Sequence, residues 1–166
     1  DYRYDEAATT LYHFVWQDYC DWYLELSKPL LQGTDRTVAA ETRAVLLHVL
    51  ETTLRVMHPI IPFITEEIWQ RVPKRSGLPA TIVLARFPES ARDAERDPLA
   101  EREMTLLQAV VVAARSLRSE RDIHPRLSLP LQLRSDESSA RALLERERAA
   151  IASLCNADVN VEALSG

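Results

Sequence analysis

Several sets of side chains in this sequence have the types that could do chemistry. Glu66 and Glu67 sit side by side in "HPIIPFITEEIW" (58–69), the residue types of an acid–base pair. Adjacent helical residues point about 100° apart, so the two cannot face each other without partners from elsewhere. They also fall in the early turns of an expected helix, where the backbone dipole favours acidic residues, and read best as helix-start charges. Asp18, Asp21 and Glu25 share a helix face and are of a type that could hold a hard cation, although a solvated face explains them as well. His13, His48, His58 and His124 show no HExxH or HxH spacing, and His58 and His124 each precede a proline, which suggests helix ends. Cys20 and Cys155 lie far apart with no CxxC, giving neither a zinc site nor a disulfide framework and pointing to a reducing, cytoplasmic setting. Three isolated glycines exclude a phosphate-cradling loop. No serine occupies a nucleophile elbow. The sequence nominates no catalytic residue and no metal ligand.

Binding chemistry is better represented. The net charge is −5, but it is unevenly spread. Residues 1–70 carry 5 basic and 11 acidic side chains, residues 71–134 carry 12 and 8, and residues 135–166 carry 3 and 6. Of the 20 basic side chains 18 are arginine, the cation suited to bidentate phosphate contacts and to stacking, though compositional bias alone produces the same excess. Arg115 and Arg118 share a helix face, and Arg121, His124 and Arg126 follow closely, diluted by Glu120 and Asp122. Lys74 and Arg75 are outlying positive charges. Tyr12, Phe14, Trp16, Tyr19, Trp22 and Tyr23 crowd one expected helix. Core packing accounts for most of them. Trp16 and Tyr23 lie off the best apolar stripe and could serve as exposed stacking platforms.

The elements that must position these residues are mainly helical. Leu11, Phe14, Val15, Tyr19, Trp22 and Leu26 recur at spacings of three and four, predicting a helix over 4–27 that ends before Pro29. A second helix is expected over 38–57, with Val45, Leu46, Val49, Leu50, Thr53 and Met57 buried. Pro62 suits the first turn of a third helix reaching Arg71. Ile60, Ile61, Phe63, Ile64 and Ile68 are expected to seal the core at that corner. "TIVLARF" (81–87) reads as a short strand. Asp97 with Pro98 should start a helix that reaches Glu120. Strict alternation in "LSLPLQLR" (127–134) predicts a strand, with Pro130 favouring a sheet edge. An amphipathic helix follows, laced by pairs such as Arg141 with Glu145, and then a strand in "DVNVEAL" (158–164). Strand, crossover helix and strand form a βαβ unit with parallel strands. The expected architecture is mainly α: an antiparallel helical bundle over 1–120 and a small α/β appendage over 121–166. A two-stranded sheet is marginal alone, so the appendage should borrow 81–87 as a third strand or lack a piece beyond Gly166. No apolar run approaches the roughly 20 residues of a membrane span.

Three stretches in order, "FVWQDYCDWYLELSKPLL" (14–31), "LETTLRVMHPIIPFITEEIWQRV" (50–72) and "ARSLRSERDIHP" (114–125), resemble the anticodon-binding region of bacterial valyl-tRNA synthetases. The isoleucyl, leucyl and methionyl relatives share the "HP-x-x-P-F-x-[TS]-E-E-[IL]-W" idea, and "CDWYLELSKP" favours the valyl family over them. The resemblance covers most of 1–134. It implies a piece of a large cytoplasmic, monomeric ligase that charges tRNA(Val) using ATP and Mg²⁺ in a catalytic domain, with the other synthetase domains as partners in cis. HIGH-like and KMSKS-like signatures are missing here, so the piece itself is expected to be non-catalytic and to need no cofactor. Earlier bundle helices with an "NKxWN"-like stretch and a C-terminal coiled-coil arm are likewise expected outside it. The role so implied is recognition of the anticodon arm. Arg115, Arg118, Arg121, Arg126, Lys74 and Arg75 would contact RNA and Trp16 and Tyr23 would stack on bases. The rival expectation is a bundle that braces the synthetase and binds little RNA itself. One departure stands out: relatives commonly place a lysine one small residue after the "I-x-P" turn. Here "IHPRLSL" has Arg126 directly after Pro125 and Leu127 in the lysine's place.

Overall fold

A computed structural model describes residues 3–74, 77–89 and 96–164. The chain forms two compact units, Asp1–Ser90 and Ala91–Gly166. The sequence places the change near residue 120, because a helix ends there. The packing instead puts the helix over 98–120 with the α/β part.

The first unit is helical. A continuous helical stretch comprises α1 (Tyr4–His13), a wide π-helical segment (Phe14–Leu24) and α2 (Glu25–Gln32). The expected stop at Pro29 does not occur, and α2 carries Pro29 inside it. A proline removes one ladder bond and crowds the preceding turn. The stretch just before it has already left α-helical pairing, and such wide turns absorb irregular winding. After a three-residue loop, Asp35 caps α3 (Arg36–Met57), its carboxylate accepting from Thr37 N–H at 2.8 Å and Val38 N–H at 3.2 Å. The short loop folds α3 back along α2. The Tyr19 hydroxyl donates to the Leu46 carbonyl at 3.1 Å, fastening the π segment to α3. Burial and the neighbouring Cys20 and Tyr23 raise the Tyr19 phenol above its ordinary pKa.

Pro62 opens α4 (Pro62–Arg71) as expected. His58 and Thr65 brace the corner: His58 Nδ1 and Thr65 Oγ1 are 2.8 Å apart, and the Thr65 hydroxyl donates to the Ile61 carbonyl at 2.9 Å. The core here is Leu54, Trp69 and Ile82, with Leu50, Ile68, Val72, Leu78 and Ala85 packed around it. Trp69 is 1% exposed and donates its indole N–H to Pro79 O at 3.2 Å. The expected seal by Ile60, Ile61, Phe63 and Ile64 is absent. All four are exposed, Phe63 at 89%. Helical periodicity shows that an apolar stripe exists but not that a neighbour covers it. Val45, also expected inside, is exposed, and Leu54, off the expected stripe, is buried.

"TIVLARF" is not a strand. Residues Ile82–Leu84 form a 3₁₀ turn whose buried Ile82 plugs the core. Glu66 holds this turn: its carboxylate accepts from Gln70 Nε2 at 2.5 Å, Thr81 Oγ1 at 2.8 Å and Ile82 N–H at 3.0 Å. Glu67 instead pairs with Arg71 at 2.5 Å, so the two carboxylates diverge as their adjacency requires. A largely buried ion pair, Arg55 to Glu51 at 2.7 Å, lies on α3, and Arg55 also donates to Arg86 O at 3.1 Å.

In the second unit Asp97 caps α5 (Pro98–Glu120), accepting from Leu99 N–H and Ala100 N–H at 3.0 Å each. Then come β1 (Leu129–Arg134), α6 (Ser138–Arg146), α7 (Arg148–Cys155) and β2 (Ala157–Glu162). The strands pair in parallel, Leu129 with Ala157 through Arg134 with Glu162. Among the described residues the sheet has these two strands alone, without the third strand expected from 81–87. It is supported instead by α5, α6 and α7, whose Leu107, Val111, Leu143, Leu144, Ile151 and Cys155 are buried with Val159 of β2. The single helix expected between the strands is broken at Glu147. Arg141 does not pair with Glu145; it donates to Ser135 O at 2.7 Å and Asp136 O at 2.8 Å, closing the entry to α6. Among the described residues no helix is long and apolar enough to cross a membrane.

Candidate nucleic-acid interface

The densest basic cluster sits where α5 ends. Asp122 takes a left-handed conformation (φ 50°), its N–H bonds Ser119 O at 3.1 Å, and Ile123 N–H bonds Arg118 O at 2.9 Å. This is a Schellman ending with an aspartate where glycine is usual. α7 ends in the related single-bond manner: Asn156 is left-handed (φ 47°) and its N–H returns to Ala152 O. Two helix C-termini, each rich in unpaired carbonyls and partly negative, thus border one another.

Arg115 and Arg118 answer that field. Arg115 donates from Nε and Nη2 to Leu154 O at 3.2 and 3.0 Å. Arg118 donates from Nη1 to Asn156 O at 3.3 Å. From Nη2 it reaches His124 O, Pro125 O and Leu127 O at 3.2, 3.4 and 2.6 Å. Asn156 Nδ2 adds a bond to Pro125 O at 2.9 Å, and His124 Nδ1 accepts from Arg126 N–H at 3.2 Å. The turn 124–127 is therefore clasped between α5 and the α7–β2 junction. The Cys155 thiol beside it is raised by burial, with Arg115 and Arg118 pulling the other way.

The six cations nominated from sequence divide accordingly. Arg121 and Arg126 are exposed beside the clasped turn, free to meet a phosphate. Arg115 and Arg118 spend much of their hydrogen bonding on the backbone. Lys74 is exposed but belongs to the other unit, and Arg75 lies outside the described residues. Of the two candidate stacking rings, Trp16 is 57% exposed and lies parallel to exposed Tyr12, with centroids 6.5 Å apart and planes 3° apart. Tyr23 is half-buried and leans on Tyr19. Tyr12 belongs to the aromatic group seen in the sequence but is not among its two stacking candidates, and Asn156 is not singled out there. An asparagine directly after an apolar helix run is a helix-end signal that would have found the second. Among the described residues no group of three His, Cys, Asp or Glu is placed to hold a metal ion, and Glu25 of the acidic trio pairs with Lys28 at 2.5 Å.

Comparison with known proteins shows the family. The family profile described as the anticodon-binding domain of tRNA ligase matches residues 1–133, and the chain belongs to that family. Over 159 residues it is 42% identical to the valine–tRNA ligase of Stenotrophomonas maltophilia (strain R551-3), covering 95% of this chain and 17% of the relative. It is 51% identical over 141 residues to that of Neisseria meningitidis serogroup B (84% and 15%), and 39% identical over 155 residues to that of Geobacillus kaustophilus (93% and 17%). The chain thus spans only 15–17% of the length of these curated relatives.

Proposed function

We propose that this chain is the anticodon-arm recognition module of a valine–tRNA ligase, holding tRNA(Val) while a catalytic domain elsewhere in a longer protein charges it. The name shared by the relatives supports the choice of tRNA. The observation that carries RNA contact is the exposed pair Arg121, at the end of α5, and Arg126, in a turn that Arg118 and Asn156 hold in place. Arginines fix the RNA backbone, and unstacked bases are read by stacking and by hydrogen bonds to their edges. Exposed Trp16 on Tyr12 supplies a stacking surface in the other unit. ATP and Mg²⁺ belong to the catalytic domain in this reading. The remaining synthetase domains act in cis, and the protein works as a cytoplasmic monomer.

A titration of the chain with a valine-tRNA anticodon stem-loop across salt concentrations tests this. Each phosphate contact contributes roughly 0.7–0.9 to the slope of log affinity against log salt. Replacing Arg121 and Arg126 by alanine together should lower that slope by about 1.5. A flat salt dependence, or equal affinity for an unrelated hairpin, sinks the proposal. The engagement of Arg115 and Arg118 with backbone carbonyls favours a second reading, in which the bundle braces the synthetase and binds little RNA alone. Weak, slope-free binding by the unmodified chain is its signature.

A further inference from the structure

The second unit holds an apolar cavity that neither the clasp nor the sheet fills. It has a volume of about 270 Å³ and lies between the C-terminal half of α5 and the starts of β1 and β2. Leu117, Ile123, Leu129, Leu131, Cys155 and Ala157 wall it. Leu117 is 57% exposed, so the cavity opens to water on that side. Native interiors hold few voids larger than a water molecule, and an unfilled apolar cavity costs stability in proportion to its volume. Cys155, 4% exposed, gives the inner wall a soft, polarisable surface. Burial raises its thiol pKa, with Arg115 and Arg118 pulling the other way, so the wall is neutral. The charges at the cavity are of one sign. Arg118 and Arg121 line it, and among the described residues no Asp or Glu does. The Arg118 guanidinium is taken by the carbonyls of His124, Pro125, Leu127 and Asn156. Arg121 is exposed just past the end of α5, and no such side-chain bond holds it among the described residues.

We propose that this cavity is a binding site for a small amphiphilic carboxylate, with its aliphatic chain between α5 and β1 and its head on Arg121. A guanidinium and a carboxylate match as two parallel N–H···O bonds. At about 30 Å³ for each water-sized group, the cavity has room for a chain of about eight carbons. The chain leaves water for leucine, isoleucine and thiol surface, which is where the affinity comes from. The head stays at the rim, where it keeps part of its hydration. An alcohol of equal length fills the same space without the charge pair. An alkylammonium meets the positive charge of Arg118 and Arg121. Arg121 is the one residue that this site shares with the RNA-contact pair.

The test is a methyl NMR titration of the full chain with butanoate, hexanoate and octanoate, read at Leu117, Ile123 and Leu131. Affinity should rise about fourfold with each added methylene until the cavity is full. Hexan-1-ol should bind about threefold more weakly than hexanoate, the loss of one exposed charge pair, and hexylammonium more weakly still. Arg121→Ala should erase the difference between hexanoate and hexan-1-ol and leave the alcohol's affinity as it was. Ala157→Val adds two methyl groups to the wall, with a residue type suited to a strand, and should weaken octanoate about tenfold. If Ala157→Val does not fold, the alcohol comparison in Arg121→Ala decides alone. Methyl signals that do not move with octanoate overturn the proposal. So does an affinity independent of chain length, or a preference for hexanoate over hexan-1-ol that survives in Arg121→Ala. Any of these results leaves RNA contact by Arg121 and Arg126 untouched.

Discussion

Replacing Arg118 by alanine removes the donor on which three segments converge. Its two terminal nitrogens reach four carbonyls, on His124, Pro125, Leu127 and Asn156. Nη2 has two hydrogens for three of these acceptors, so its bonds are shared and amount to roughly two. A hydrogen bond from a charged donor contributes about 1.5–3 kcal/mol. The clasp is open to water, which can rehydrate the released carbonyls, and exposure discounts a charged contact further. A net loss of about 2–3 kcal/mol follows from these terms. Urea unfolding of the full chain measures it as a lowered midpoint with an unchanged slope. Amide exchange locates it, because the Leu127 N–H bonds His124 O at 3.0 Å only while the turn keeps its shape. Arg121→Ala is the control, an exposed cation expected to change stability by less than about 0.5 kcal/mol. An Arg118→Ala chain within that same margin of the parent, with Leu127 still protected, would refute the clasp.

Other consequences are equally direct. Asn156→Gly keeps the left-handed backbone and loses only the amide bond to Pro125, whereas Asn156→Ala loses both. Urea midpoints should place alanine below glycine by about 1 kcal/mol. The Glu66 carboxyl is held below its ordinary range by Gln70 first, then by Thr81, Ile82 and the charge of His58, against the opposing effect of burial. Its contribution is therefore complete above the unfolded value near 4.5 and is lost as pH falls through the lower folded value. Protection of the Ile82 amide should fall on acidification through that window, and Glu66→Gln should remove the pH dependence. Phe63→Ser should leave the unfolding midpoint within about 0.5 kcal/mol, since the ring is 89% exposed. A large drop would show that Phe63 packs where the structure leaves it bare.

The elements themselves were readable wherever one local rule acted without competition. Asp97 before Pro98, Pro62 at a first turn and the alternation of 127–134 each specify backbone conformation through neighbours a few residues away, and α5, α4 and β1 lie as expected. The ordered motifs from 14 to 125 likewise carried the family. Local rules failed at Pro29, where a wide helical segment takes up a residue that normally ends a helix. They failed again at 81–87, where burial of Ile82 and the grip of Glu66 override the strand preference of an apolar run.

The site shows the same division. That arginines cluster between 115 and 126 is plain in the sequence, and so is the turn at Pro125. Which of them face outward was not, because Leu154 and Asn156, some 38 positions downstream, supply the carbonyls that occupy Arg115 and Arg118. No pattern along the chain reports a partner that folding brings from so far away. The sequence alone determined the family, the helices and the charge. The tertiary structure decided which charges are spent on holding the fold and which remain to bind, since a guanidinium goes to the nearest unsatisfied acceptors, and only the packing of α7 against α5 puts them there.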